Sequence, residues 1–183
     1  MPANTLDSIT VERVLAGCDR QEAIMVLLGH EAGLRAMEVA ALDWRHVLAA
    51  DGSLGDFIDL PAIATKGRSG QGRIPMSSKL KAALLKLSAA RRHPRRGHVV
   101  LGSKGEGLSA NAVALRLNRI YQRNGLDATS HSGRRSYGTR LATMGLNAFQ
   151  VQRAMRHSDI GTTKLYVDDA MSDQAVVQAI TSF

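Results

Sequence analysis

Two short stretches in the last third of the chain concentrate groups able to work on a phosphate, SHSGRRSYGTRL and RHSDIGTTKLY. In the first, His131 and Arg134 stand three residues apart, a spacing that puts both on one side of a helix start. An imidazole, a planar guanidinium fork and the N–H groups of a helix N-terminus together make an anion pocket. In isolation such a pair is more often a surface His and Arg. Twenty-six residues after His131 comes His157, followed by a Ser-Asp turn and, nine residues further on, by Tyr166. A phenol attacks only once it has lost its proton, which a nearby base and cationic groups can arrange. The plain alternatives are a core tyrosine bonded to a carbonyl and a helix-facing histidine.

Upstream, HEAGLRAMEVAALDW places Arg35 just past a glycine turn, with Glu38 three residues on. An arginine between apolar helices needs a partner. Glu38 would serve structurally, and a bound phosphate would serve functionally. The chain carries 24 Lys and Arg against 16 Asp and Glu, a formal charge of +8, which makes nucleic acid the first partner to consider. Other classes of protein share such a balance, so the motifs have to decide. The single cysteine, Cys18, excludes an internal disulfide, and no Cys/His set has zinc-ligand spacing, so no metal or cofactor is expected. The opening MPANTLDS lacks the charged and apolar regions of an export signal, and no apolar run is long enough to span a membrane. A soluble, cytoplasmic protein is expected.

These residues need a scaffold, and 183 residues suffice for one domain with a core of its own. Few aromatics and an even spread of Leu, Ala, Val and Ile suit a mainly helical protein. A first helix follows Thr10 as cap, with Val11, Val14 and Leu15 at helical spacing. RQEAIMVLLGHEAG is apolar on most faces, which marks a centrally buried helix that Gly33 ends. FIDL, AIAT and GRIPM read as short strands around a KGRSGQG hairpin loop, giving a small antiparallel sheet. Helices are then expected over 77–90, 109–124 and 132–144, with shorter ones over 148–155 and 162–166. The tail, MSDQAVVQAITSF, reads as an amphipathic helix over about 172–182, and RRHPRR at 91–96 as a solvated loop. In the helix over 109–124, Arg116, Arg119 and Arg123 form a stripe opposite Val113, Leu117, Ile120 and Tyr121. Such a helix can pack and touch phosphate together, and a merely solvated stripe is an equal reading.

Taken in order, the motifs resemble the tyrosine recombinase or phage integrase family over almost the whole chain, from Thr10 to about Asp168. AGLRAMEV is similar to its first arginine motif, ATKGRSGQGRIPM to its lysine hairpin, HSGRRSYGT to its HxxR box and MRHSDIGTTKLY to its closing box. The resemblance implies a mainly α fold with a small antiparallel β-sheet (α+β), that of the family's catalytic domain. It assigns Arg35 and Arg134 to clamping the scissile phosphate and Tyr166 to the nucleophile. Lys66 becomes the general acid for the leaving 5′ oxygen. His131 and His157 hydrogen-bond the phosphate, with His131 the better candidate base. It implies double-stranded DNA as partner, for which Arg68 and Arg73 of the hairpin and Arg116, Arg119 and Arg123 of the stripe are the candidate contacts. It further implies a synaptic tetramer on DNA, a monomer away from it, no metal, no ATP, and a bacterial, phage or mobile-element setting near the nucleoid. A type IB topoisomerase sharing this chemistry and a non-catalytic DNA-binding module of the same fold are the alternatives.

The chain departs from the family's pattern in three places. Arg135 follows the second arginine where His is usual, Gly133 replaces a common apolar residue, and Arg156 stands where Gly usually precedes the histidine. Typical members also carry a separate N-terminal helical domain that closes around DNA. The expectation here is a single catalytic domain over 1–183, with its core at about 10–168 and that N-terminal core-binding domain absent.

Overall fold

A computed structural model of the chain describes residues 4–60, 72–157 and 159–163. Its first helix, α1 (Ser8–Ala16), starts earlier than the Thr10 cap would place it. Asp7 takes the capping position because its carboxylate accepts the Thr10 N–H at 2.7 Å, leaving Thr10 inside the first turn. The next helix, α2 (Arg20–Ala32), opens with a capping box between Asp19 and Glu22 and buries Ile24 through His30 and Ala32. Gly33 ends it at φ 61, a left-handed turn, where any Cβ would also run into the Tyr137 ring. The chain reverses there into α3 (Ala36–Ala41).

Two strands follow, β1 (Phe57–Leu60) and β2 (Gly72–Pro75), paired antiparallel with Ile58 opposite Ile74 and Leu60 opposite Gly72. Alternation along them buries Ile58, Leu60 and Ile74 in the core. The expected AIAT strand, and the KGRSGQG loop apart from Gly72, lie outside the described residues. The helix α4 (Ser78–Ala90) is capped by Ser77 and turns Leu80, Leu84 and Leu87 inward. The expected 91–96 loop is present, although Arg91 is not merely solvated: its guanidinium donates to the Val99 carbonyl at 2.8 Å. Ser109 caps α5 (Ala110–Arg123), whose buried face is the expected set of Val113, Leu117, Ile120 and Tyr121.

Two helices complete the described part, α6 (Ser132–Thr143) and α7 (Ala148–Met155). The central α2 packs against α4, α5 and α6. Its approach to α6 is set by two glycines. A Cβ on Gly133 would lie 3.2 Å from backbone atoms of Gly29 and His30, so the absent side chain is what lets the two backbones meet. That gives the Gly133 departure a packing reason. A small second core of Tyr137, Val151 and Met155, flanked by Leu141, Ala142 and Leu146, fixes α7 on α6. The result is mainly helical with one small antiparallel sheet, as expected. The tail helix over 172–182 lies outside the described residues. Among the described residues no helix is long and apolar enough to cross a membrane.

Candidate active site

The end of α2 is the natural place to gather cations, because its last carbonyls lack helical partners and carry the negative end of the helix dipole. Among the described residues three arginines exploit it. Arg140 donates to the His30 carbonyl at 2.8 Å, Arg156 to the Gly33 carbonyl at 3.2 Å, and Arg134 also to the Gly33 carbonyl. Arg134 sits in the first turn of α6 with 5% of its surface exposed, and its other arm donates to the Met155 carbonyl at the end of α7. One guanidinium fork thus joins the C-termini of two helices. The nearby Glu31 is held down to about 2 by its bond from His30, with Arg140 adding to the effect.

Arg35 reaches the same place from the other side. As N-cap of α3 it donates its backbone N–H to Glu38 Oε2 at 2.8 Å and its Nη1 to Oε1 at 3.0 Å. Its Nη2 donates to the Arg156 carbonyl at 3.2 Å, and about a third of the side chain (32%) remains open to solvent. Glu38 is fully buried and also takes Arg156 Nη2 at 3.1 Å. His157 follows directly, its Nδ1 2.9 Å from the hydroxyl of buried Thr163. Burial pushes the His157 imidazole down to about 4, and the charges of Arg134, Arg35 and Arg156 add to the effect, so the ring is neutral at pH 7.

The structure therefore brings Arg35, Arg134 and His157 together, with Glu38 and Arg156 between them. His131 stands at the N-terminus of α6, exposed, on a turn tied by the Thr129–Ser132 and Ser130–Asn118 hydrogen bonds. Lys66, Arg68 and Tyr166 lie outside the described residues. Arg73 on β2 is exposed, 3.5 Å from Asp59 and 4.2 Å over the Phe57 ring. On α5, Arg116 pairs with Asp19 at 3.3 Å, and Arg123 with Glu22 at 2.6 Å and with the Gly17 carbonyl at 2.7 Å. These two brace α5 against the start of α2, an internal use that the stripe alone does not announce. Arg119 is exposed and makes no ion pair among the described residues.

Sequence reasoning used Glu38 only as a partner and treated Arg156 only as a departure. The signal for Arg156 was there, in an arginine at a position where a glycine is usual. What it touches, on α2, α3 and β2, is far away in sequence.

Beside this cluster a cleft of about 910 Å³ opens between β2 and α7, with Gly72, Arg156 and His157 among its walls. Guanidinium forks gathered beside a neutral imidazole, with Arg156 and His157 in the cleft wall, are suited to stabilising an anion whose charge grows during reaction, as a phosphoryl group's does. The chain belongs to the phage integrase family, whose model matches residues 4–173. It is 30% identical over 175 residues to the tyrosine recombinase XerC of Azotobacter vinelandii, an alignment covering 88% of this chain and 54% of that protein. A second XerC, from Xanthomonas campestris, is 28% identical over 150 residues, covering 80% of this chain and 44% of the other. This chain therefore spans about half the length of these relatives. Among solved structures, XerA recombinase superposes over the whole chain with a TM-score of 0.78 at 16% identity, covering 65% of that protein. The Tn1549 transposon integrase in complex with transposon right-end DNA superposes with a TM-score of 0.69 at 22% identity, covering 100% of this chain and 67% of that one.

Proposed function

We propose that this chain is the catalytic domain of a site-specific tyrosine recombinase that cuts and rejoins double-stranded DNA through a covalent link to Tyr166. The observation that carries the proposal is the gathering of Arg35, Arg134 and neutral His157 around the carbonyls of Gly33, Met155 and Arg156, beside a cleft whose wall His157 joins. The names of the relatives, and the DNA in the transposon integrase complex, support DNA as the substrate.

In this reaction the Tyr166 oxygen gives its proton to a base, for which His131 is the candidate, and attacks the phosphorus. The bond to the 5′ oxygen breaks, and Lys66 protonates that oxygen as it leaves. The products are a 3′-phosphotyrosine and a 5′ hydroxyl. Attack by a 5′ hydroxyl of another strand reverses the step, expels the tyrosine and rejoins DNA with no net change in bond energy. Charge accumulates on the two non-bridging oxygens in the transition state, where fixed arginine forks stabilise it more than in the ground state. A neutral His157 offers a hydrogen bond to the same oxygens. Protomers meet as a tetramer on DNA, in the cytoplasm at the nucleoid, and Arg68, Arg73 and Arg119 supply sequence-independent backbone contacts.

The test is a nicked suicide substrate, from which the cleaved end diffuses away and traps the covalent protein–DNA adduct. Wild type should give the adduct and Tyr166→Phe should give none. No adduct with wild type, or as much with Tyr166→Phe, would overturn the mechanism. Relaxation of a supercoiled plasmid without exchange between two sites would instead place the chain with type IB topoisomerases.

A further inference from the structure

Arg156 has no part in the reaction just described, and its conformation asks for a reason. It caps α7 at φ 55 and ψ 45, the left-handed region that disfavours any residue with a Cβ. Its Nε is buried with no hydrogen-bond partner among the described residues. Such local cost persists only where the surroundings hold it, and it points to a role beyond the residue itself. The surroundings are specific. Nη2 bridges Glu38 at 3.1 Å and the Gly33 carbonyl at 3.2 Å, Nη1 donates to the Ala154 carbonyl at 3.2 Å, and the side chain is 5% exposed. The Arg156 carbonyl accepts Arg35 Nη2. The stem lies across the first residue of β2, so that a Cβ on Gly72 would fall 2.7 Å from Arg156 Cδ. That atom is the middle of a side chain anchored at its far end and cannot swing aside.

Arg156 thus touches four things at once: the floor of the strand pair, the buried carboxylate that orients Arg35, the capped end of α2 that Arg134 also holds, and Arg35 itself. Its charge matters as well as its reach. Without it, Glu38 would face Arg35 alone and cancel the cation meant for an anion. With it, two guanidiniums share the one carboxylate.

We infer that Arg156 is a positioning residue, which fixes Arg35 and the base of the β1–β2 pair in one frame and takes up the charge of Glu38 so that Arg35 keeps its own for the substrate phosphate. The inference rests on the recombinase proposal for the identity of that phosphate. Gly72 is its steric counterpart, small because the Arg156 stem occupies the space above it.

Arg156→Gly tests this in the full chain, since glycine is unstrained at φ 55 and Arg35 still pairs with the Glu38 left behind. At saturating nicked DNA, adduct formation should slow about tenfold or more, while DNA affinity stays within about threefold, because the loss is in alignment and not in attraction. The His157 ring, followed by NMR, should titrate higher than in wild type, having lost one of three cationic neighbours. Arg156→Lys should restore that titration but not the rate, because an ammonium cannot bridge as the fork does. Gly72→Ala should slow adduct formation by itself and add little to Arg156→Gly, since the collision disappears with the side chain. A wild-type rate for Arg156→Gly, or full additivity with Gly72→Ala, would sink the inference. Should wild type form no adduct, the recombinase proposal fails separately. The His157 titration and the additivity of the melting temperatures then decide, and an unmoved titration with additive melting shifts overturns the role of Arg156.

Discussion

Two groups of arginines, one at the junction of α2, α6 and α7 and one along α5, are used by the fold in opposite ways. On α5, Arg116 and Arg123 meet carboxylates, Asp19 and Glu22, and each charge is cancelled where it stands. Arg123 draws Glu22 below the ordinary carboxylate range, largely through their hydrogen bond. At the junction Arg134 donates to the carbonyls of Gly33 and Met155, while Arg35 and Arg156 share one glutamate. Carbonyls orient a guanidinium without neutralising it, so positive charge survives in a place with little water to screen it. Net charge alone does not distinguish the two groups. What an arginine is bonded to decides whether it braces the fold or waits for an anion.

The sharpest way to break this comparison is at Arg134. Arg134→Lys keeps the charge but loses the fork that spans two helix ends, and adduct formation should fall on the order of 10²–10³-fold, as for loss of one transition-state donor. A rate within a factor of a few of wild type would show that charge without orientation is enough.

Glu38→Gln comes next. It leaves Arg35 and Arg156 against each other with no anion inside a buried cluster, which should cost about 3 kcal/mol of stability in urea unfolding. The same change of Glu22 to Gln, at the partly exposed Arg123 pair, should cost about 0.5 kcal/mol. Equal costs would erase the distinction between the two regions.

Acid offers a third test. His157 takes its proton at about 4 in the folded chain and near 6.5 when unfolded. Between those values the unfolded chain binds more protons, so the contribution of His157 to stability is complete above about pH 6.5 and is lost as pH falls toward 4. His157→Asn should flatten the melting temperature over that window. A slope as steep as that of wild type would mean that other groups set it.

The smallest effect belongs to the exposed member of the stripe. Arg119→Ala should leave melting unchanged and reduce the salt dependence of DNA binding by about one phosphate contact. Arg123→Ala should do the reverse, lowering the melting point slightly and leaving the salt slope near its starting value.

Much of this was legible in the sequence. The inward face of α5 follows from the spacing of Val113, Leu117, Ile120 and Tyr121, and the starts of α4 and α5 follow from Ser77 and Ser109, because periodicity and capping are local properties. The start of α1 was less so, since Asp7 and Thr10 can both cap and only the backbone geometry selects between them. The candidate site was legible as residue types at characteristic spacings. The Asp19–Arg116 pair and the bond from Arg134 to the Gly33 carbonyl were not, because their members lie 97 and 101 residues apart and a carbonyl leaves no mark in a sequence.

The sequence by itself determined which groups are available: two arginines and two histidines in recognisable motifs, a basic chain, and helices patterned to bury one face. Tertiary structure alone decided which arginines brace α5 against α2 and which gather at the end of α2. It set α2 and α6 together at Gly29 and Gly133, turned three guanidiniums onto the end of α2, and gave Arg156 a left-handed backbone against Gly72. The physical reason is that the net field around a guanidinium depends on its partner, and partners are chosen by packing across the whole chain.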